Sequence, residues 1–290
     1  SKEEINSRIK MRNSLGGTFT PDCAVIHPGR LVRALAQYLE KNGVRIYENS
    51  RALTIEPTLI KTAKGSLRAT SIIKATEVFS QKARQHAPIY SLMVATEPLA
   101  EEFWEEIGLR QRETFAEALH LVNYGQRTLD NRLAIGGRGV RYKLFSRLSE
   151  RSEVDNRMHS ALERRALRWF PQLEGIKFQY RWGGPVALTR RWQSYLNFDQ
   201  TSGRAAIGGY VGDGVTLSFL AAKTLAQKIN NIKIVDLPFV DQKIGRWEPE
   251  PIRYFAVNAG FKATVAADME ERITNRPSLI ANFVDPLINR

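Results

Sequence analysis

A glycine-rich turn between a short strand and a helix constrains this chain more than any other feature. Residues 205–207 read Ala-Ala-Ile and predict a short strand, and residues 208–214 read Gly-Gly-Tyr-Val-Gly-Asp-Gly. The next residues predict a helix with one mostly apolar face, made by Leu217, Leu220, Ala221, Thr224, Leu225 and Ile229. A strand, a glycine-rich turn and a helix in this order are typical of the ligand-binding edge of an α/β sheet.

The chemistry of such a turn follows from its backbone. Glycines let the main chain approach a ligand closely, and a helix begins with unpaired N–H groups and a partial positive charge. The turn therefore suits a phosphate, or an atom on which negative charge develops, such as the N1/C2-carbonyl edge of a reduced flavin. A tight connection that binds nothing would show the same pattern, so the turn alone leaves both interpretations open.

The glycine spacing argues against a dinucleotide-binding fingerprint at this turn. In a G-x-G-x-x-G motif beginning at Gly212, Gly214 fits, but Leu217 occupies the position of the third glycine. Residues 137–142 fail in the same way, because a tyrosine stands at the last position. We therefore expect no pyrophosphate-binding turn at either place.

Composition places the chain among ordinary globular proteins. It has 290 residues, of which 43% are hydrophobic and 25% are charged, and no run of 18 apolar residues that would predict a membrane span. The single cysteine excludes an internal disulfide, and the four histidines are too scattered to pair as metal ligands. We predict no metal site and a cytoplasmic location.

The net charge of +13 raises the possibility of a nucleic-acid-binding protein. The basic residues are spread along the chain, and the densest region, residues 141–168, also carries four acidic residues. This mixture is typical of a solvated helical face. Since no nucleic-acid-binding motif accompanies it, we expect no nucleic-acid partner.

The order of predicted elements indicates a discontinuous architecture. Both ends of the chain show α/β patterns, including a helix that begins at Pro28 and ends before Asn42-Gly43, a strand at residues 44–47 and a small β-meander from residue 52 to residue 70. The middle reads as α+β with antiparallel strands. We predict an α/β domain from residues 1–80 and 203–290, with an α+β domain at residues 81–202 inserted into it.

An arginine-bearing hairpin in the middle block is a second candidate site. Arg127 and Arg138 stand near the ends of two neighbouring predicted strands, close in sequence to Tyr124. A guanidinium there would bind a substrate carboxylate in a bidentate manner. The alternative is a surface ion pair with Asp130 or Glu117. No nucleophile motif or catalytic acid–base pair is evident elsewhere, and His27 is interpreted as a helix cap.

Five segments, in this order, resemble the glycine/D-amino-acid oxidase superfamily of FAD-dependent oxidoreductases. They are residues 24–35, 42–47, 72–76, 94–99 and 208–225, and the last is the most specific. Residues 125–138 and the Arg-Trp-Glu-Pro-Glu-Pro tail at residues 246–251 resemble a bacterial branch similar to gamma-glutamylputrescine oxidases. The resemblance covers nearly the whole chain.

The resemblance implies the function and the site. It implies FAD as cofactor and a small amine or amino acid as substrate, whose C–N bond is oxidised by hydride transfer to flavin N5 before the imine hydrolyses. It implies a Rossmann-like FAD-binding domain at residues 1–80 and 203–290 and an antiparallel-sheet substrate domain at residues 81–202. Implied cofactor contacts are Val44 near the adenine, Ala75 and Thr76 near the cofactor, and Gly208, Gly209, Gly212, Asp213, Gly214 and Val215 at the isoalloxazine edge. Substrate contacts are Tyr124, Arg127 and Arg138.

Two departures from the family pattern qualify this expectation. Glu77 stands where the family usually has a glycine after Ala-Thr. The strand, G-x-G-x-x-G turn and helix that open the family's FAD-binding domain are absent from the 290 residues. We therefore expect an incomplete FAD-binding domain that requires a separately encoded Rossmann segment. Without it, a sheet edge and apolar helix faces should be exposed. The rival interpretation is an inactive truncated chain or a non-enzymatic interaction module.

Overall fold

The computed structural model describes residues 1–80 and 84–288, which form seven α-helices and eleven β-strands. The helices are α1 (Lys2–Arg8), α2 (Pro28–Lys41), α3 (Glu101–Ile107), α4 (Asn156–Trp169), α5 (Gly214–Ile229), α6 (Ile252–Thr274) and α7 (Leu279–Ile288). The first six strands are β1 (Thr54–Ile55), β2 (Leu59–Thr62), β3 (Gly65–Arg68), β4 (Ile72–Lys74), β5 (His86–Thr96) and β6 (Thr114–Ala116). The others are β7 (Asn123–Arg127), β8 (Leu133–Val140), β9 (Phe178–Thr189), β10 (Tyr195–Asp199) and β11 (Arg204–Gly208).

The chain divides into two compact units. The first consists of Ser1–Val25, Pro88–Val186 and Glu248–Arg290, and the second of Ile26–Ala87 and Ala187–Trp247. The predicted domain ranges differ from these units at both ends and after residue 186. The differences have a physical basis. Ile9 is buried in the core of the first unit, and β10 pairs with β11 in the second.

The first unit is built on a five-stranded sheet. Its strand order is β6-β7-β8-β5-β9, and β7 pairs antiparallel with both β6 and β8, while β8 also pairs antiparallel with β5. Alternating side chains of β5 enter a core that α3 and α4 complete. The largest fully buried side chains of this core include Trp104, Tyr90 and Phe170. The predicted α+β middle block with antiparallel strands matches this architecture.

The second unit contains a mixed three-stranded sheet and a separate meander. The sheet order is β10-β11-β4, in which β11 runs antiparallel to β10 and parallel to β4. Its core joins β10 and β11 to α5 through Leu196, Ala205, Ile207, Ala221, Leu225 and Phe239. The predicted meander is present as β1-β2-β3. In this sheet β4 is an edge strand.

The predicted helix after His27 is confirmed, and the strand predicted at residues 44–47 is wrong. α2 begins at Pro28, the ring of His27 accepts a hydrogen bond from the amide of Arg30, and Gly43 follows with a φ of +86°. Residues 44–47 are not part of any strand that the structure describes. Their alternating pattern is that of a strand, but a strand requires hydrogen-bonded neighbours, and no described strand lies beside them.

The apolar face of α2 is exposed. Leu31, Val32, Leu35 and Tyr38 share this face, and 48–65% of each residue's surface is accessible to solvent. A helix in a folded globular protein normally buries such an apolar face. The expectation of exposed apolar helix faces is therefore met at α2. Among the described helices, none is both long enough and apolar enough to cross a membrane.

Candidate functional site

The glycine-rich turn lies where the sequence predicts it, between the end of β11 and the start of α5. Gly209 and Gly212 have φ angles of +74° and +110°, in the left-handed region that favours glycine. Val211, between them, also has a positive φ of +51°. Backbone that changes between right-handed and left-handed conformations can turn successive N–H groups toward one side and so suits an anion.

Neighbouring side chains explain why the first two positions are glycine. A Cβ atom on Gly208 would lie 2.5 Å from Oε2 of Glu77 and 2.8 Å from Oη of Tyr195. A Cβ atom on Gly209 would lie 2.6 Å from Cγ2 of Thr189. These distances are shorter than van der Waals contact, so both positions exclude any larger residue unless the neighbours move.

The first turn of α5 presents open amides. Asp213 is the N-cap residue, but its side chain makes no capping hydrogen bond. Within the part of the chain that the structure describes, the N–H groups of Gly214, Val215 and Thr216 have no hydrogen-bond acceptor, as is usual for the start of a helix. Half of the surface of Val215 is exposed. This end of the helix can therefore accept a ligand atom that carries partial negative charge.

The carboxylate of Glu77 occupies two amides earlier in the turn. Its Oε2 accepts a hydrogen bond from the amide of Gly209 at 2.7 Å, and its Oε1 accepts one from the amide of Tyr210 at 3.1 Å. Burial raises the pKa of Glu77, while these two hydrogen bonds act in the opposite direction. At the position where the family pattern has glycine, this chain places a negative charge inside the turn.

A buried aromatic pair lies beside Glu77. The rings of His86 and Tyr195 stack with centroids 5.8 Å apart, and Nε2 of His86 lies 3.2 Å from Oη of Tyr195. Burial and then the charge of Lys74 lower the pKa of His86 to about 4. Burial, followed by the charge of Glu77, raises the pKa of Tyr195 and raises that of Tyr210 to about 12. At neutral pH both tyrosines and His86 are uncharged.

The depressed pKa of His86 predicts a dependence of stability on pH. Between its unfolded value of about 6.5 and its folded value of about 4, the unfolded chain binds the proton and the folded chain does not, so stability rises with pH in this window. The measurement is an NMR titration of the histidine rings with parallel urea unfolding at several pH values. One ring should stay neutral down to about pH 4, and His86→Asn should flatten the slope. A His86 ring that titrates near its ordinary value would contradict this prediction.

The other predicted cofactor contacts, Val44, Ala75 and Thr76, lie in the second unit, and no hydrogen bond among the described residues joins them to the turn. The amide of Val44 donates to the carbonyl of Leu39 at 3.0 Å, which closes the end of α2. Ala75 and Thr76 follow β4, and Oγ1 of Thr76 lies 2.5 Å from Oγ of Ser80. Contact of Val44, Ala75 and Thr76 with the cofactor stays a prediction.

The arginine-bearing hairpin is observed in the first unit, and Arg127 is engaged within the protein. Its buried guanidinium lies 2.7 Å from a carboxylate oxygen of Glu101, bonds to the side chain of Asn131 and stacks over the ring of Trp104. This is the ion-pair alternative, but with a partner other than Asp130 or Glu117. Substrate binding by Arg127 stays a prediction, and this geometry disfavours it.

Tyr124 and Arg138, the other two predicted substrate contacts, lie on the strands β7 and β8 of the same hairpin. Oη of Tyr124 lies 2.9 Å from Oγ of Ser91, so its hydroxyl already has a partner. The backbone of Arg138 on β8 is paired with that of Ser91 on β5, and the side chain of Arg138 lies outside the described part of the structure. Their contact with a substrate also stays a prediction.

A buried network at the start of α6 was not predicted from the sequence. Glu250 accepts hydrogen bonds from Oη of Tyr142 at 2.5 Å and from Nε of Arg253 at 2.9 Å. It also accepts one from the amide of Tyr254 at 3.1 Å. The motif at residues 246–251 resembles a branch of the family, but no local pattern in it indicates that the side chain of Glu250 is buried and accepts several hydrogen bonds.

Comparison with known proteins identifies the family. The family model described as FAD dependent oxidoreductase (DAO) matches residues 1–228. This chain belongs to that family. The match includes both the 208–214 turn and most of α5, and the cofactor of the family is FAD.

This FAD-dependent oxidoreductase family member is also similar to individual proteins. It is 30% identical over 212 residues to gamma-glutamylputrescine oxidoreductase of Escherichia coli, which is 70% of this chain and 47% of the relative. It is 28% identical over 242 residues to the probable oxidoreductase OrdL of Haemophilus influenzae, covering 79% of this chain and 52% of the relative. The chain therefore spans about half the length of these relatives.

Solved structures show the same fold. Glycine oxidase from Geobacillus kaustophilus aligns with a TM-score of 0.58 at 21% identity, covering 74% of this chain and 58% of that protein. L-proline dehydrogenase from P. horikoshii aligns with a TM-score of 0.56 at 17% identity, covering 73% and 57%. Both alignments support the resemblance in fold.

Proposed function

We propose that this chain forms part of an FAD-dependent oxidoreductase that oxidises a C–N bond of a small amine or amino acid. The observation that carries the proposal is the glycine-rich turn followed by the open amides at the start of α5, in a chain whose family uses FAD. When bound, FAD supplies the hydride acceptor at N5. The relative of E. coli is named for a glutamylated polyamine substrate, which supports an amine as the substrate class.

The residues of the turn suit the flavin edge better than a phosphate. The amides of Gly214 and Val215 stand at the positive end of α5, where negative charge is stabilised. An N1/C2-carbonyl edge gains charge only on reduction, so fixed amides favour the reduced form without a counter-ion. A free phosphate would meet the Glu77 carboxylate in the same turn and be repelled.

The second unit supports an incomplete FAD-binding domain. β4 is an edge strand of its sheet, the apolar face of α2 is exposed, and no G-x-G-x-x-G turn follows a strand within the 290 residues. A complementary Rossmann segment would pair with the edge, cover the helix and supply the pyrophosphate turn. We propose that the second unit holds the flavin with such a segment and that the first unit contributes to substrate binding.

Reconstitution tests this proposal. The purified chain is mixed with FAD, alone and together with the N-terminal half of the E. coli relative, and then passed through a desalting column. We expect bound flavin absorbance only in the reconstituted pair, because the chain alone offers the flavin edge but no pyrophosphate turn. Gly214→Pro, which removes one amide at the first helical position, should reduce flavin retention by about tenfold.

The matched control is Gly214→Ala, which keeps the amide. A Cβ atom there would lie 3.7 Å from the side chain of Tyr210, an ordinary contact, so this variant should retain flavin. If this chain and the N-terminal half of the relative associate, but neither wild type nor Gly214→Ala retains flavin, the chain is an interaction module. If Gly214→Pro and wild type retain flavin equally, the start of α5 does not hold the cofactor.

A further inference from the structure

Both oxygens of Glu77 are committed to two consecutive amides of the 208–214 turn. The amide of Gly209 donates to one oxygen at 2.7 Å and the amide of Tyr210 to the other at 3.1 Å. Two amides that converge on one carboxylate form the arrangement by which proteins bind free anions. In this chain the anion is a side chain of the protein itself.

The sheet holds this carboxylate in place. β4 runs parallel to β11, with Lys74 opposite Ala206, and a short 3₁₀ turn over Glu77–Phe79 follows β4. The parallel pairing brings residue 77 beside the residues that follow β11. A tethered group of this kind acts at an effective concentration in the millimolar range or above, so a free anion must compete with it.

The residues around the Glu77 carboxylate leave room for it. Gly208 leaves the space that Oε2 of Glu77 fills, and the buried Oη of Tyr195 borders the same space. The hydroxyl of Tyr195 is paired with His86, and the side chain of Tyr210 carries no charge at neutral pH. The charge of Lys74, on the strand that leads to Glu77, acts on the neighbouring ring of His86.

We propose that Glu77 is a specificity-determining residue of the turn. Its carboxylate occupies the amides of Gly209 and Tyr210 as an internal anion and closes them to free anions such as phosphate. The first-turn amides of α5 then stay open to a ligand, and they receive an atom that carries partial negative charge instead of a free anion. That this atom belongs to the flavin edge rests on the proposed function, whereas the exclusion of anions does not.

A phosphate titration tests the exclusion without any flavin. The amide resonances of Gly209 and Tyr210 are followed by NMR in the ¹⁵N-labelled full chain as inorganic phosphate is added at neutral pH and constant ionic strength. In wild type these resonances should not move. In Glu77→Ala they should shift saturably, with phosphate affinity at least about tenfold above wild type, because the tethered competitor is gone.

Two further variants make the outcome decisive. Glu77→Gln keeps the shape of the side chain but removes its charge, so it should bind phosphate more weakly than Glu77→Ala and more strongly than wild type. Glu56→Ala removes a carboxylate of the same unit that pairs with Lys61 at 2.9 Å, and it should behave as wild type. The proposal is overturned if folded Glu77→Ala and Glu77→Gln chains gain no phosphate binding, or if wild type binds phosphate equally well. Failure of flavin reconstitution would leave this result unchanged, so the two proposals fail separately.

Discussion

Replacing Glu250 by alanine should lower the free energy of unfolding of the first unit by about 3–5 kcal/mol. The side chains of Glu250 and Arg253 are only 6% and 8% exposed, so the variant leaves a buried guanidinium without its counter-ion. It also removes the acceptor for Oη of Tyr142 and for the amide of Tyr254. Urea unfolding followed by circular dichroism, with both units monitored, would measure the loss.

The control is an ion pair of the same unit that is more exposed. Glu163→Ala breaks the contact with Arg181 at 2.7 Å, which lies nearer the surface, and should cost about 0–1 kcal/mol. Similar losses in the two variants would show that the Glu250 network contributes no more than a surface pair.

The Glu250 network also has a pH signature. Burial opposes ionisation, but hydrogen bonds from Tyr142 and Arg253 hold the pKa of Glu250 below its ordinary value. A lowered pKa stabilises the folded state above the unfolded value, and this contribution is lost as pH falls through the folded value. The difference between wild type and Glu250→Ala should therefore be largest at neutral pH and shrink in acid.

Replacing Gly209 by alanine should destabilise the second unit by about 2–4 kcal/mol, the sum of a left-handed φ cost and local overpacking. The φ of Gly209 is +74°, and the new Cβ atom would lie 2.6 Å from Cγ2 of Thr189 and 2.9 Å from the carbonyl oxygen of Gln193. The carbonyl belongs to the backbone and cannot rotate away. Amide hydrogen exchange in β11 and α5 would report the loss locally.

Gly43 provides a matched control in the same unit. Its φ is +86°, but a Cβ atom there would meet nothing within 4 Å. Gly43→Ala should therefore cost only the backbone term, about 1 kcal/mol. Equal costs at Gly43 and Gly209 would show that the contacts with Thr189 and Gln193 do not constrain the turn.

Local sequence patterns predict those elements of the fold that interactions between nearby residues determine. The helix from Pro28 to Lys41 carries its own cap at His27 and its own terminating glycine at Gly43, so both ends are encoded nearby. The strand, turn and helix around Gly208 are recognisable for the same reason. The glycines have positive φ angles or crowded neighbours, and the helix has a continuous apolar face.

Long-range contacts account for what local patterns missed. Local patterns do not indicate that α6 starts at Ile252, where Glu250 binds Arg253 and is joined to Tyr142 more than 100 residues away. Gly260 and small residues along its first half hide the helical period. Glu77 was noted only as a departure from a motif, because its partners lie 132 and 133 residues further along the chain.

The exposed apolar face of α2 has a consequence for the abundance of this protein in a cell. Four large apolar side chains are exposed to water on one face of this helix, and such exposure is unfavourable. Chaperones and proteases recognise surfaces of this kind, and quality control removes chains that display them for long. If a separate Rossmann segment covers α2, as proposed above, the amount of this protein at steady state should follow the amount of that segment, whether or not the site of chemistry is intact.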